Sequence, residues 1–368
     1  MAWIFVVLSL LYGLPIAAFA FGHYRVLRRA NLWESSDLKL SVIIAVRNEA
    51  SGIRDCLLSI LRQEEVSEIV VIDDHSTDAT WEIVTRLIER SSDRIVLLKN
   101  EMGIGKKAAI LQGVNRCRSE LILVTDADCR VPVGWAREMR ASFDKNTGFV
   151  VGPVVFSKSR RWASHMISLE WIGFMGIAAG AVGLGTPILC SGANIAYRKS
   201  VFEEVGGYEG LDRFSSGDDE LLMQQIADET NWKVRFCSSR RAVVETAAPD
   251  SASEFLAQRR RWASKGAFYQ RKWLVAMNIG FWIFFLAIPV GLFASIWISS
   301  IRIPLAIALM IKVIPEVALL AQSAHFYNMK HLMRFFLPAQ PFQIAYILWA
   351  GVAGVRGNLE WKSRKLVR

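Results

Sequence analysis

Cysteine is scarce in this sequence, and several motifs that assign a common chemistry are missing. The five cysteines form no CxxC pair, lack zinc-site spacing and are odd in number, so they indicate neither a disulfide framework nor a metal knuckle. This pattern fits a reducing compartment and small buried side chains. The formal net charge is +10, yet no recognisable nucleic-acid-binding motif accompanies it, which argues against a nucleic-acid partner.

Charge is absent from residues 2–22, which are followed by a basic segment that contains Arg25, Arg28 and Arg29. An uncharged run of this length predicts a membrane-spanning helix. A cleavable signal peptide would have its basic residues before the apolar run rather than after it. The sequence therefore predicts a transmembrane helix over residues 1–24, and the positive-inside rule places the following domain in the cytosol.

The next segment alternates between short β-branched runs and helical stretches. The runs LSVIIAV, EIVVIDD, RIVLLKN and ELILVTDAD indicate strands. Helical stretches lie between them near residues 51–62, 78–90 and 105–117. This alternation predicts one α/β domain over residues 40–272, built on an open parallel sheet with helices on both faces. Ligands bind such sheets at the carboxyl ends of the strands.

A long uncharged stretch, residues 171–197, interrupts this pattern and has the length to cross a bilayer. A single crossing there would put Asp126 and Asp219 on opposite sides of the membrane. If these two residues share a site, the stretch is instead a pair of buried or interfacial elements. Its glycines suit such close packing.

Three further apolar runs follow, at residues 274–299, 303–324 and 335–355. The middle run contains Lys312 and Glu316 at i,i+4 spacing, so pairing can offset part of an insertion cost of about 2.5 to 3.5 kcal/mol for each charge. Three crossings would leave the basic tail, residues 357–368, outside the cytosol, against the positive-inside rule. The segment 273–356 is therefore predicted to mix transmembrane helices with an interfacial or re-entrant one.

Acidic residues end two of the predicted strands. Asp126 and Asp128 are spaced so that both carboxylates can point to one side and hold Mg²⁺ or Mn²⁺ against a diphosphate. Asp73 and Asp74 end another strand just before a helix. A helix cap explains part of that second motif, but two adjacent acids exceed what a cap needs, which suggests hydrogen bonds to a base or ribose.

A short glycine-containing segment, Gly103 to Lys107, precedes the third predicted helix and suggests a phosphate cradle. It is not a Walker A loop, because position 100 is asparagine and no serine or threonine follows the lysines. A phosphate-binding lysine and a solvated helix start explain this segment equally well.

An acidic run, Asp218, Asp219 and Glu220, opens another helical stretch. Clustered carboxylates repel one another and raise a pKa, which suits a general base. The alternative is an acidic helix N-terminus that the helix dipole stabilises. Both explanations remain open on the residues alone.

A basic and aromatic motif, with Gln258, Arg261 and Trp262, lies before the first C-terminal apolar run. An arginine can pair with a diphosphate, and a tryptophan can stack on a sugar face. The alternative is a basic collar with an interfacial tryptophan at the membrane surface.

Taken together and in this order, the motifs resemble family 2 of the inverting glycosyltransferases, which includes cellulose, chitin and hyaluronan synthases and ceramide glucosyltransferase. The resemblance implies a GT-A-type, Rossmann-like open mixed sheet with helices on both faces. It implies that Asp219 is the general base and Asp218 its neighbour. It assigns donor binding to Glu49, Asp73, Asp74, Lys107, Asp126 and Arg261, a divalent metal ion, Mg²⁺ or Mn²⁺, to Asp126 and Asp128, and acceptor binding to Gln258 and Trp262.

The activity that this resemblance implies is single displacement at the cytosolic face of the cell membrane by a multi-pass enzyme. A hexose or N-acetylhexosamine would pass from a nucleotide-diphosphate sugar, with UDP as the expected nucleotide, to a lipid or glycan acceptor. Such a reaction belongs to the biosynthesis of a cell-envelope polysaccharide or glycolipid.

Two departures from the family pattern bear on processivity. Few spans follow the catalytic domain, and Cys190 to Asn194 only loosely matches the acceptor-side element of the long-polymer synthases. Transfer of one or a few sugars is at least as well supported, with an export or polymerising protein as a partner. Two alternatives remain: a non-catalytic membrane scaffold, and a nucleotidyltransferase, whose glycine-rich opening is missing near residue 45.

Overall fold

The structure is a computed structural model that describes residues 3–28, 38–91, 93–159, 161–209, 218–265, 269–355, 359–361 and 364–366. The first elements are a long helix, α1 (Ile4–Arg28), and then alternating strands and helices. These are β1 (Leu40–Val46), α2 (Ile53–Leu61), β2 (Val66–Asp73), α3 (Thr80–Ser91), β3 (Ile95–Lys99), α4 (Lys106–Arg116) and β4 (Leu121–Val124). The four strands and three helices predicted for this part are confirmed, each within a few residues.

The second part of the domain mixes strands and helices less regularly. It contains α5 (Trp135–Arg140), β5 (Thr147–Val151), β6 (Val154–Phe156), α6 (Trp162–Gly183), β7 (Ile195–Arg198), α7 (Lys199–Glu204), α8 (Asp218–Glu229), β8 (Lys233–Phe236), β9 (Val244–Thr246) and α9 (Ala252–Lys265). Strands β6 and β9 form a small parallel sheet of their own.

The main sheet has seven strands in the order β3-β2-β1-β4-β7-β5-β8. β1 to β4 are parallel to one another, whereas β7 runs antiparallel to both of its neighbours, β4 and β5. The mixed GT-A-like sheet is therefore confirmed, and the all-parallel sheet expected from the alternation alone is wrong at β7. Along β1, Val42 and Ile44 pack into one core cluster and Ile43 into the other, so apolar layers cover both faces.

Register brings the strand ends together. Val46 at the end of β1 pairs with Asp73 of β2, and Ile43 pairs with Val124 at the end of β4. Because β1, β2 and β4 are parallel, their carboxyl ends lie at one edge of the sheet. The segments that leave this edge carry the acidic residues of the two predicted motifs.

Within the described residues, five helices are long and apolar enough to cross a membrane by length and composition. They are α1, α6 and three C-terminal helices, α10 (Lys272–Ala294), α11 (Arg302–Phe326) and α12 (Phe336–Val355). Short 3-10 turns, Ser299–Ile301 and Lys330–Phe335, join the last three, and two short strands, β10 (Leu359–Trp361) and β11 (Arg364–Leu366), pair in the basic tail.

Helix α6 occupies the first half of the uncharged stretch and packs against α1 with backbone touching backbone. A Cβ atom at Gly180 would lie 2.2 Å from the carbonyl oxygen of Phe19, and one at Gly183 would lie 2.1 Å from that of Gly22. Only glycine permits such an approach. The stretch as a whole consists of the end of α6, a connecting segment and the start of β7, a strand of the main sheet.

The C-terminal helices contact the α/β domain at specific points. Arg240 donates to the carbonyl oxygens of Phe326 and His325, which fixes the end of α11. Helix α12 lies along α9, with the rings of Phe255 and Tyr346 5.3 Å apart between centroids. The α/β domain and the apolar helices therefore form a shared interface.

Candidate active site

The carboxylates that follow β4 form the centre of the site. The ligand atoms of Asp126, Asp128 and Cys129 all lie within 4.8 Å of one another. Asp128 accepts a hydrogen bond from Thr246 Oγ1 at 3.0 Å. Burial, together with the negative charge of Asp126, raises the pKa of Asp128.

This donor set fits a divalent cation. Mg²⁺ and Mn²⁺ prefer oxygen ligands, which the two carboxylates supply. Burial and the nearby carboxylates raise the pKa of the Cys129 thiol well above its usual value. Its soft sulfur also suits Mg²⁺ and Mn²⁺ less well than carboxylate oxygen does. A bound cation would also offset the repulsion between Asp126 and Asp128.

The acids that end β2 have different surroundings. Asp74 accepts hydrogen bonds from the Asn100 side chain at 2.9 Å and from the Gly105 backbone at 3.0 Å. Asp73 is buried and accepts from the Ser76 backbone at 3.3 Å. Asp74 therefore shapes the glycine loop that opens α4, and Asp73 closes the turn that follows β2.

The glycine loop presents two consecutive lysines, and the structure separates their positions. Gly105 has a positive φ of 103°, which turns the chain into α4. Lys106 Nζ lies 2.8 Å from Asp126 Oδ1 and 3.5 Å from Asp219 Oδ2. Sequence reasoning singled out Lys107 and missed Lys106, because the resemblance fixed the register of the motif by the residues after Lys107.

The acidic run opens α8, as predicted, and the side chains of Asp219 and Glu220 have different partners. Asp219 faces Lys106, while Glu220 is buried and accepts a hydrogen bond from Tyr269 Oη. Gly192 lies against Asp219, since a Cβ atom there would be 1.8 Å from Asp219 Oδ2. Asp218 begins the helix, but its side chain lies outside the described part of the structure.

Helix α9 carries the basic and aromatic motif. Trp262 packs on the rings of Trp171 and Phe174, with centroids 5.6 and 5.8 Å apart. Arg259, which the sequence did not single out, is buried, pairs with Glu170 of α6 and donates to Gln258 Oε1. The sequence signal for Arg259 was its position inside the motif, one residue after Gln258 and three before Trp262. That position does not indicate an ion pair with a residue of α6.

One continuous cavity of about 1680 Å³ joins these groups. Its polar end is lined by Glu49, Asp74, Lys107, Asp126, Asp128 and Asp219. Gln258, Arg261 and Trp262 also line it, and among the described residues the lining includes Asp74 but not Asp73. The cavity then continues between apolar side chains of α1, α10 and α12, among them Ile16, Phe19, Phe281, Trp282 and Ile347.

Comparison with known proteins agrees with this architecture. Residues 41–206 match the profile of the family described as Glycosyl transferase family 2. The chain is 27% identical over 281 residues to "Probable glycosyltransferase YdaM" of Bacillus subtilis, a match that covers 72% of this chain and 65% of that protein. It is 30% identical over 156 residues to the undecaprenyl-phosphate 4-deoxy-4-formamido-L-arabinose transferase of Pseudomonas savastanoi pv. phaseolicola, covering 39% of this chain and 45% of that protein. The chain thus spans less than two thirds of these relatives.

A solved structure is similar over nearly the whole chain. The mannosyltransferase PcManGT from Pyrobaculum calidifontis, determined with GDP-Man and Mn²⁺, superposes with a TM-score of 0.61 at 20% identity, covering 96% of this chain and 99% of that one. At this identity the likeness establishes the fold. The protein therefore has a GT-A-like fold, and its residues 41–206 are similar to glycosyl transferase family 2.

Proposed function

We propose that the protein is a membrane-bound inverting glycosyltransferase. It transfers a hexose or N-acetylhexosamine from a nucleotide-diphosphate sugar, with UDP as the expected nucleotide, to an acceptor at the cytosolic membrane face. The observation that carries this proposal is the single cavity in which Asp126, Asp128, Asp219 and α9 meet, beside apolar helices.

The proposed chemistry is one displacement at the anomeric carbon. Asp219 takes the proton of the acceptor hydroxyl as that oxygen bonds to the anomeric carbon, and the bond from this carbon to the diphosphate oxygen breaks. Attack from the opposite face inverts the configuration. Arg261 and Lys107 stabilise the departing nucleoside diphosphate, and Glu49 and Asp74 hold its nucleotide portion.

Asp126 and Asp128 would hold a divalent cation in this scheme. When bound, such a cation neutralises charge on the leaving diphosphate. Asp126 would also bind the ribose of the donor. Trp262 and Gln258 contact the acceptor, since both line the cavity beside its apolar part.

The contacts of the helices support a specific membrane arrangement. The start of α10 is tied to the catalytic domain by Arg271, which donates to Pro187 O at 2.5 Å and pairs with Asp228, and the end of α11 is tied there by Arg240. Helices α10 and α11 thus cross the membrane as a hairpin, while α12 lies at the interface along α9. This arrangement keeps the basic tail on the cytosolic side, as the positive-inside rule requires.

The apolar part of the cavity supports a lipid acceptor. A polar glycan gains little from walls built of Ile16, Phe281 and Trp282, whereas a hydrocarbon chain buries apolar surface against them. The relative from Pseudomonas that acts on undecaprenyl phosphate points the same way. Two crossing helices after the catalytic domain make a poor channel, so export or polymerisation of the product would fall to a partner protein.

The test is nucleoside-diphosphate release by the detergent-solubilised protein. A panel of UDP- and GDP-sugars is supplied with Mn²⁺ or Mg²⁺, with and without added membrane lipid, beside Asp126→Ala as the control. We expect release with one donor, dependent on the metal and lost in the control. The absence of release with every donor would favour the scaffold, and release of pyrophosphate would favour a nucleotidyltransferase.

A further inference from the structure

Lys106 bridges two carboxylates that come from different elements of the fold. It is the first residue of α4, and its ammonium lies 2.8 Å from Asp126 Oδ1, after β4, and 3.5 Å from Asp219 Oδ2, on α8. One cation thus joins a proposed metal ligand to the proposed general base. In the donor-free protein, this bridge offsets the charge of both acids.

The bridge is enclosed at its Asp219 end, whereas the side chain of Asp126, at the other end, is 40% exposed. The Asp219 side chain is 13% exposed and that of Lys106 is 25% exposed. A Cβ atom at Gly192 would lie 1.8 Å from Asp219 Oδ2 and 2.8 Å from Lys106 Nζ. The segment between α6 and β7 therefore lies directly against the bridge at Gly192, and a side chain there would displace Asp219 or Lys106.

The bridge and a metal ion make opposing demands on Asp126. An ammonium hydrogen-bonded to a carboxylate oxygen competes with a divalent cation for that oxygen, and the two cations repel each other. Asp128 has a different partner, the Thr246 hydroxyl. This hydroxyl is neutral, so it does not repel a metal ion that binds Asp128. The competition therefore falls on one of the two carboxylates.

We propose that Lys106 is a placeholder cation. It holds Asp126 and Asp219 together while the donor is absent, and it gives up Asp126 when a divalent cation binds there. The released ammonium then faces the anionic diphosphate that accompanies the cation. This role makes Lys106, and not Lys107 alone, a positioning residue of the site. The placeholder proposal rests on the proposed function only for the identity of the metal ligands.

The experiment is a titration of the purified full-length protein with Mn²⁺ alone, followed by electron paramagnetic resonance of the free ion. Lys106→Met removes the competing cation, so the dissociation constant for Mn²⁺ should fall about tenfold, the lower end of what one adjacent charge does to a carboxylate. Lys107→Met removes the same charge one residue along and should change that constant by less than about twofold, since it does not remove the bridge.

Thermal unfolding supplies a second readout. In EDTA, Lys106→Met should melt below the wild type, because Asp126 and Asp219 lose their shared cation, and saturating Mn²⁺ should raise its melting temperature more than that of the wild type. If Lys106→Met does not fold, Lys106→Gln takes its place in both measurements.

Unchanged or weaker Mn²⁺ binding in the Lys106 variant, or an equal gain in Lys107→Met, would overturn the proposal. Because neither measurement uses a sugar donor, a protein without transferase activity would still give a clear answer. Failure of the placeholder role and failure of the proposed function are therefore distinguishable.

Discussion

We call β1 to β4 with their helices the donor half and α6, α8, α9 and α12 the acceptor half, after the main roles proposed for them. The two halves present their candidate functional residues by different means. In the donor half, Asp74, Asp126 and Asp128 follow strand ends whose positions are fixed by parallel pairing. In the acceptor half, Gln258, Arg261 and Trp262 sit on α9, which lies outside the sheet and is held by α6 and α12. The donor half thus depends on local pattern, and the acceptor half on contacts between distant segments.

The largest effect that we expect is a loss of turnover, without a loss of donor binding, when Asp219 in the acceptor half is replaced. Asp219→Asn keeps the shape of the side chain but removes the base, so turnover should fall roughly 10²- to 10⁴-fold. Donor binding should stay within about twofold, because the proposed donor-binding residues, among them Lys107 and Arg261, are unchanged. Steady-state release of nucleoside diphosphate and calorimetric donor binding measure the two quantities.

The matched control for this substitution lies on the same helix. Asp228 pairs with Arg271 near the far end of α8, away from Lys106. Asp228→Asn should retain turnover. Retained turnover in Asp219→Asn would contradict the assignment of the base and would remove the strongest functional difference between the two halves.

The next effect concerns the ion pair that holds α9. Arg259 and Glu170 are mostly buried, so Arg259→Met leaves an uncompensated carboxylate and should lower the free energy of unfolding by about 3 to 5 kcal/mol. Replacing both residues, Arg259→Met with Glu170→Met, should recover most of that loss, because a buried pair can be exchanged for apolar side chains at little cost. Thermal unfolding in detergent measures both.

The activity of the double variant then sharpens the comparison. Arg259 also donates to Gln258 and stacks on Trp262, with its guanidinium carbon 4.4 Å from the ring centroid. We expect donor hydrolysis to survive in the folded double variant while transfer to the acceptor weakens. Equal loss of both would show that the pair of Arg259 with Glu170 positions Arg261, the proposed donor-binding residue of α9, as much as it positions Trp262.

The smallest expected effect tests the contact between α1 and α6. Gly180→Ala places a methyl group 2.2 Å from the Phe19 carbonyl oxygen, so the helices must separate, at a cost of about 1 to 3 kcal/mol. Gly280→Ala on α10 is the control, since a Cβ atom there meets nothing within 4 Å. Helix propensity alone would raise the melting temperature of both variants, because alanine favours a helix over glycine by about 1 kcal/mol. An equal change in the two variants would therefore exclude close packing at Gly180 as the cause.

The same division explains how much the sequence could predict. Short β-branched runs bounded by turn or charge signals identified β1 to β4, and with them Asp126 and Asp128 at a strand end, because these signals lie within a few residues of each other. The antiparallel direction of β7 was not predictable in this way. Its place beside β4 depends on pairing between segments more than 70 residues apart, such as Leu123 with Ala196.

The missed residues follow the same rule. Lys106 and Arg259 sit beside residues that the sequence did single out, but their partners, Asp219 and Glu170, are far away along the chain. No local spacing encodes such a pair. The membrane topology was unresolved for a related reason, since hydropathy reports that α12 is apolar but not that it lies along α9.

The contact of α1 with α6 has a consequence for how this protein can be handled and how it can change. Val26 belongs to the same core cluster as Ile43 and Tyr197, and Ile16 and Phe19 form part of the cavity wall. The N-terminal helix is thus an interior component of the enzyme rather than an exchangeable anchor. A soluble truncation that begins after it would lose part of its own core, and a swap for another organism's anchor would amount to a mutation of the active-site wall.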